Sequence, residues 1–313
     1  MAEPIALVGC TNPEQEAEYL RVLSAAMPEE RLVPFRVMDR AERAAARVAV
    51  VANPDPAEVA ALPGLVWVQS LWAGVEKLVG VFDRPLPIVR LVDREMARTM
   101  AEAVLAWTYY LQRDMPAYAR QQRARDWRPH PYRRPSDIVV GLLGLGALGT
   151  AAADRLGGAG FSVVGWSRTP KAAIGIETFH GTDGLPAMLG RCDILVCLVP
   201  LTPETRGLVD AERLSALKPG AALINFARGP IVVAGDLIAA LDAGHLSHAV
   251  LDVFETEPLP AESALWSHPG VTVLPHVSGP TDMDSAAATV AENLRAYRRT
   301  GRPPQGVDAT RGY

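Results

Sequence analysis

The sequence predicts an α/β chain of two domains, each built on a parallel sheet, and three observations carry that prediction. Short apolar runs bounded by turn residues recur along the chain with helical patterning between them, the alternation that produces parallel strands covered on both faces. At 313 residues and 49% hydrophobic content, the chain buries a sizeable core yet is too long for one compact lobe. Near residue 140 an apolar strand runs into a helix through a patterned series of glycines.

That junction is Ile138-Val-Val-Gly-Leu-Leu-Gly-Leu-Gly-Ala-Leu-Gly149, followed by the helical segment Thr150-Ala-Ala-Ala-Asp-Arg155. Gly144 allows the tight strand-to-helix turn, Gly146 lets the backbone approach a pyrophosphate, and Gly149 lets helix and strand pack closely. The phosphates then rest on the helix N-terminus, at Ala147 and Leu148. With the strand before and the helix after, this spacing predicts a Rossmann dinucleotide-binding domain.

The end of the next strand, Phe161-Ser-Val-Val-Gly-Trp-Ser-Arg-Thr-Pro-Lys171, selects the cofactor. An NAD site places an acid there to bond the ribose 2′-hydroxyl, and this segment has none. Ser167 stands at that point, and Arg168, Thr169 and Lys171 supply charge-assisted hydrogen bonds suited to a 2′-phosphate. NADPH is the expected cofactor, with NADH weaker.

In the first half of the chain, strands are predicted at Ile5–Val8, Val48–Val51, Val66–Val68 and Ile88–Val92. Asn12-Pro-Glu-Gln15 reads as a helix start, with Asn12 as N-cap, Pro13 in the first helical position and Gln15 closing a capping box. A second series starts with a helix at Ala101–Gln112. Six strands follow: at Ile138, at Val163, then Ile194–Val199, Ala222–Phe226, Ala249–Val253 and Val271–Leu274. Ser285–Arg299 has apolar residues at helical spacing and is read as a final helix returning to the first lobe. The expected domains are 1–100 with 287–313, the smaller, and 101–286. The crossings fall near 96–103 and 283–290, and substrate is expected in the cleft at the carboxyl ends of the strands.

Composition excludes several classes. A net charge of -4 and a pI near 5.9 leave no footprint for nucleic acid or an anionic membrane, and the Arg-rich stretch 120–134 is interrupted by Asp126, Trp127 and prolines. Cys10, Cys192 and Cys197 are odd in number, apolar in context and without ligand spacing, which predicts reduced core thiols, no metal site and a cytoplasmic setting. The Met-Ala-Glu-Pro start lacks the pattern of a signal peptide. The uncharged run Ile138–Ala153 is too short and glycine-rich for a membrane span.

Three residues near the ends of late strands form a kit for carbonyl reduction: Arg228, Glu257 and His276. A planar guanidinium grips a 2-oxo acid in a fork, and an imidazolium gives its proton to the carbonyl oxygen as hydride reaches carbon. A neighbouring carboxylate favours the charged imidazole and fixes its orientation.

Taken together, Gly144-Leu-Gly-Ala-Leu-Gly149, Leu198-Val-Pro-Leu-Thr202, the Asn225–Gly229 segment, Leu251–Pro260 and Pro275-His276 resemble, in order, the motifs of the D-isomer-specific 2-hydroxyacid dehydrogenase family. Trp166-Ser-Arg168 and Glu257-Pro-Leu-Pro260 most resemble its NADPH-preferring glyoxylate/hydroxypyruvate reductases. The resemblance implies a flavodoxin-like smaller domain for substrate and NADPH-dependent reduction of small 2-oxo acids to D-2-hydroxy acids. It also implies a homodimer formed through the helical arm at 101–120. Leu71-Trp-Ala-Gly-Val-Glu76 resembles the loop whose amides hold the substrate carboxylate, which assigns Ala73 and Gly74 to the pocket. Trp72 either limits the substrate side chain or packs the lobe. Met100 resembles the residue beside the nicotinamide, Asp252 the acid that contacts its carboxamide and Pro200 the loop over the adenine side. Asp252 serves equally as a strand-end cap, and Met100 as core. Two positions depart from the family's commoner pattern: Glu76 replaces the usual Asp, and His276 is followed by Val-Ser-Gly-Pro280 instead of a Gly-rich run. An NAD(P)-sensing corepressor on the same scaffold is the alternative that the Arg, Glu and His disfavour, and Glu257 disfavours formate oxidation.

Overall fold

The computed structural model describes residues 3–10, 12–80, 82, 85–171 and 175–308. The chain divides into two compact units, Met1–Glu95 with Thr281–Tyr313 and Met96–Pro280. The divisions fall a few residues before the boundaries at 100 and 286 read from the sequence. The helix Arg94–Gln112 begins earlier than expected, and Asp93 accepts a hydrogen bond from the Glu95 N–H at its start.

Among the described residues the first unit holds five strands: β1 (Pro4–Val8), β2 (Arg31–Pro34), β3 (Val48–Val51), β4 (Trp67–Ser70) and β5 (Ile88–Val89). Their order is β2-β1-β3-β4-β5 with every pairing parallel, the flavodoxin-like order. The short edge strand β2 escaped the sequence reading because three of its four residues are not fully buried and show no apolar run. Asn12 caps the helix Pro13–Ala26 by accepting from the Glu14 N–H, with Pro13 in the first turn; the cap is this single bond and not the two-way box expected with Gln15. The helix Met283–Thr300 closes this unit, capped by Asp282, which accepts from the Ser285 N–H.

Among the described residues the second unit holds seven strands: β6 (Val139–Leu143), β7 (Ser162–Ser167), β8 (Glu177–His180), β9 (Ile194–Cys197), β10 (Ala221–Asn225), β11 (Leu246–Leu251) and β12 (Val271–Val273). All pair in parallel in the order β12-β11-β10-β9-β6-β7-β8. Read outward from β6, this is the doubly wound arrangement with the direction reversing between β6 and β9. One strand more than the six expected is present. It is β8, an edge strand whose ends are exposed and whose middle is half-buried. Alternate side chains feed two cores: Ile194 and Val196 of β9 enter one, Leu195 and Cys197 the other, as the two-residue period of a strand requires.

At the amino end of this sheet Asp193 ties three segments together. It accepts from the Val139 N–H at 2.9 Å, Lys218 Nζ at 2.9 Å and Arg133 Nη2 at 2.8 Å. Burial works against its charge, yet these bonds together hold its carboxyl below the ordinary range. The three cysteines are free. Burial pushes the thiols up, to about 11 at Cys10 and about 12 at Cys192 and Cys197, so they stay protonated and inert.

His248 lies in the middle of β11, bonded through Nε2 to Thr272 Oγ1 at 2.8 Å, with its Nδ1 buried and unpartnered. Burial, helped by the charges of Arg120 and His268, pushes this imidazole from 6.5 down to about 4. Below pH 6.5 the unfolded chain therefore takes up a proton that the folded chain refuses, and stability falls as pH drops through that window. His248→Gln is expected to flatten the loss between pH 7 and pH 4.5 by up to about 3 kcal/mol in urea titrations at the two pH values; parallel losses in variant and parent would refute it.

A candidate active site along the strand ends

The candidate residues of the second unit line the carboxyl edge of its sheet. In strand order they are His276 after β12, Asp252 and Glu257 after β11, Arg228 after β10, Pro200 after β9, the glycine turn after β6 and Ser167–Lys171 at the end of β7. This edge, at the point where strand order reverses, is where doubly wound sheets bind ligands.

The glycine turn has the form its spacing predicts. Gly144 has φ +114, and a Cβ there would lie 2.9 Å from the backbone of Leu198 and Val199. A Cβ on Gly149 would lie 1.9 Å from the Gly144 carbonyl oxygen, so helix and strand touch at that point. Gly146 by contrast faces open space. It caps the helix Ala147–Gly158 with no side-chain hydrogen bond, which leaves exposed N–H groups and the positive end of the helix dipole for a phosphate. The Gly144 N–H donates to the Trp166 carbonyl, which sets the turn against the loop that follows β7.

In that loop Arg168, Thr169 and Lys171 are exposed, and the Ser167 hydroxyl donates to the Thr169 carbonyl at 2.7 Å. Across from it, the Thr205 hydroxyl donates to the Pro200 carbonyl at 2.6 Å and folds the segment after β9. The Glu204 carboxyl is held below its ordinary range, foremost by a hydrogen bond with Thr202 and in part by the charge of Arg168. The sequence reading did not single out this acid. An open backbone at Gly146, an uncapped helix end and a basic loop one strand away fit a dinucleotide carrying a 2′-phosphate.

At the other end of the edge, His276 Nδ1 bonds Glu257 Oε2 at 2.8 Å, and Glu257 Oε1 accepts from the Phe254 N–H at 2.9 Å. The carboxylate is thus held by backbone and holds the ring in turn. Nε2 has no hydrogen-bond partner among the described residues, and about half of the His276 side chain is exposed. His276 has φ +56, which is unusual for a residue with a Cβ. The turn points two successive N–H groups at one carboxylate: Val277 N donates to Asp252 Oδ1 at 2.7 Å and Ser278 N to Oδ2 at 2.8 Å. Such a nest of amides fixes the direction of the imidazole. Asp252 is therefore a cap as well as a candidate cofactor contact, and both readings of it stand.

Arg228 sits on a loop stapled by a residue that the sequence reading did not assign. Asn225, buried at the end of β10, accepts from the Ala227 N–H at 3.2 Å and donates to the Arg228 carbonyl at 3.1 Å. A polar residue closing a fully buried strand was the available signal. Gly229 brings this loop onto the Glu257 segment: a Cβ there would lie 1.9 Å from the carbonyl carbon of Phe254. Met100 is buried in the core of the same unit, and its Cε would lie 2.7 Å from a Cβ on Gly279, so it borders the His276 turn.

Trp72, Ala73 and Gly74 lie in the first unit, on the loop after β4, and are half-buried. The Trp72 backbone N–H donates to the Ser70 hydroxyl at 2.9 Å. Its indole packs against the core of its own unit, with the ring nitrogen buried and unpartnered. Packing is thus one of the two roles open to Trp72, and its place in the substrate pocket stays an expectation. Among the described residues no group of His, Cys, Asp and Glu could hold a metal.

Residues 105–278 match the family model described as D-isomer specific 2-hydroxyacid dehydrogenase, NAD binding domain. The chain is 36% identical over 304 residues to glyoxylate/hydroxypyruvate reductase A of Yersinia enterocolitica, covering 95% of this chain and 96% of that protein. A D-isomer specific 2-hydroxyacid dehydrogenase from Xanthobacter autotrophicus Py2, solved with NADPH and MES, superposes with a TM-score of 0.93 at 41% identity and covers both chains fully. An NADPH-dependent glyoxylate/hydroxypyruvate reductase from Sinorhizobium meliloti, solved with NADP and sulfate, superposes with a TM-score of 0.89 at 34% identity over 99% of this chain and 100% of that one. With its strand-end residues, its sheet order and these likenesses in agreement, the chain belongs to the D-isomer specific 2-hydroxyacid dehydrogenase family.

Proposed function

We propose that this protein is an NADPH-dependent reductase of small 2-oxo acids, glyoxylate and hydroxypyruvate first, yielding glycolate and D-glycerate. The observation that carries the reading is the 2.8 Å bond from His276 Nδ1 to Glu257, which leaves Nε2 as a directed proton donor on the edge that also bears the glycine turn. The relatives solved with NADPH and NADP support the cofactor.

Arg228 binds the carboxylate and the carbonyl oxygen of the substrate through its guanidinium fork. NADPH, when bound, supplies the hydride that reduces the carbonyl carbon. His276 passes a proton from Nε2 to the carbonyl oxygen, and Glu257 keeps Nδ1–H engaged so that the ring does not turn. Gly144, Gly146, Ala147, Leu148 and Gly149 take the pyrophosphate. Ser167, Arg168, Thr169 and Lys171 take the 2′-phosphate, Pro200 covers the adenine side, and Asp252 and Met100 border the nicotinamide. Ala73 and Gly74 are assigned to the substrate carboxylate.

Steady-state kinetics with glyoxylate, hydroxypyruvate, pyruvate and bulkier oxo acids, each with NADPH and NADH, test the reading. Turnover is expected to be fastest with the two smallest hydroxylated or unsubstituted acids and NADPH. In Arg168→Ala the KM for NADPH is expected to rise by about tenfold or more while that for NADH stays close to the parent value. No turnover with any oxo acid would refute the reductase, and an unchanged cofactor ratio would refute the phosphate role.

A homodimer is part of the same proposal. The helices Arg94–Gln112 and Met115–Ala124, with the segment after them, expose Tyr109, Met115, Tyr118, Tyr132 and Trp127, the last 99% exposed. Apolar surface collected on one arm is the mark of an interface. Sedimentation equilibrium is expected to give twice the chain mass, and a monomer at micromolar concentration would refute it. A cytoplasmic setting is supported by the free thiols, and no helix of the described residues is long and apolar enough to cross a membrane; recovery in an oxidising compartment would refute it.

A further inference from the structure

We propose that the first unit carries a binding site for a small zwitterion, an α-amino acid, in the cavity between the end of β5, the helix Met283–Thr300 and the chain that follows it. The cavity has a volume of about 560 Å³, inside the roughly 300–1,000 Å³ range of small-ligand sites. Its two charged lining residues are of opposite sign, Arg90 just after β5 and Glu292 on the helix. Among the described residues neither forms an ion pair, with the other or with a third group. Arg295, one turn further along the helix, is already taken by Glu29 and by the Ala26 carbonyl, both at 2.7 Å. Two opposite charges that face one cavity without meeting leave room for a molecule that carries both.

The rest of the wall suits such a molecule. Thr289, Glu292 and Asn293 fall at i, i+3 and i+4, on one face of the helix. The buried Gln69 donates through Nε2 to the Ser70 carbonyl at 2.9 Å and to the Val89 carbonyl at 3.3 Å, so its Oε1 is the acceptor that takes Asn293 Nδ2 at 2.9 Å. That bond fixes the Asn293 amide and leaves its Oδ1 as an acceptor. An ammonium group, all donors, is met by the Glu292 carboxylate and Asn293 Oδ1; a carboxylate is met by the Arg90 guanidinium fork and the Thr289 hydroxyl. A simple anion would be repelled by Glu292 and a simple cation by Arg90, so neither half of the zwitterion is welcome alone. Val89 and Val307 give an apolar wall for a small side chain. The chain after the helix is held in place against β5: the Val307 N–H donates to the Ile88 carbonyl at 2.7 Å, and a Cβ on Gly306 would lie 3.0 Å from that oxygen and 3.2 Å from the Ile88 nitrogen. Glycine at 306 is what lets this wall approach so closely.

The test is calorimetric titration of the full chain with glycine, L-serine and L-valine, and with acetate, methylammonium and glycerol, which carry one charge or none. Thermal unfolding in each compound is the second readout. At least one amino acid is expected to bind with a Kd below about 1 mM and to raise the unfolding temperature, with the three simpler compounds at least about tenfold weaker. Arg90→Gln and Glu292→Gln are each expected to weaken that amino acid by about tenfold or more, while the unfolding temperature of the free chain stays at the parent value because neither substitution breaks an ion pair. Neither heat nor a thermal shift with all three amino acids would overturn the proposal. So would acetate or glycerol binding as tightly, which marks an anion site or an unselective polar one, or full affinity in both variants, which puts the amino acid elsewhere. Binding is read without NADPH or an oxo acid, so failure here leaves the reductase reading standing, and failure of that reading leaves this site untouched.

Discussion

Replacing His276 by alanine is expected to lower kcat for glyoxylate reduction by about 10²- to 10⁴-fold, the range over which a positioned general acid acts. NADPH affinity should hold, because the phosphate-binding turn lies several strands away at Gly144–Gly149 and does not depend on the imidazole. Alanine carries a Cβ as histidine does, so the turn at φ +56 meets the same steric demand, and the Asp252 nest is expected to keep its two amide bonds. Stopped-flow reduction and fluorescence titration on the same preparation separate the two quantities. Matched losses in rate and in cofactor affinity would mean that His276 acts as scaffold and that the proton comes from another group.

Gly229→Ala is expected to be nearly as damaging without touching any reacting group. A methyl there would lie 1.9 Å from the Phe254 carbonyl carbon and 2.3 Å from the Glu255 nitrogen, both backbone atoms that cannot turn aside. One of the two segments must move, and one carries Arg228 while the other carries Glu257. A displacement on the scale of an ångström costs roughly 100-fold in kcat/KM, and the forced repacking costs about 1–3 kcal/mol in stability. Gly235→Ala is the control: it lies in the helix Ala234–Asp242 with open space around it and should be neutral or slightly stabilising. Thermal unfolding together with glyoxylate kinetics reads both effects. A Gly229→Ala enzyme of parent activity would show that the close approach is not needed for catalysis.

The residues of the candidate site were legible where chemistry demands a particular residue type at the end of a strand. Gly144, Gly146 and Gly149 could be interpreted from spacing alone, and their surroundings in the structure match the three separate demands made of them. The basic Ser167–Lys171 loop could be read because an expected acid was missing. Edge strands were the weak point. β2 and β8 bury one face poorly and carry no apolar run, so hydrophobic patterning could not reveal them, and pairing with a neighbour is what makes them strands. Asn225 was opaque for a related reason. A polar residue takes its role from the groups that face it, and those lie at Ala227 and Arg228. The backbone turn at His276 was equally hidden, since nothing in Pro275-His276-Val277 announces a positive φ; it arises from the pull of a carboxylate 25 residues earlier in the chain. Gly229 is similar, being required by an approach to Phe254 that no local pattern encodes.

The order of strands along the sheet has a consequence for independent tuning. From β12, which leads to His276, to β7, which ends at Ser167, there are five steps between neighbours, roughly 24 Å at about 4.8 Å per step. In physiological salt an exposed charge is felt over only about 8 Å. The Arg168 guanidinium proposed for the 2′-phosphate and the His276 imidazole proposed as proton donor are therefore electrically insulated from each other. On that assignment, exchanging one coenzyme for the other at the β7 end leaves the electrostatic surroundings of the β12 end unchanged.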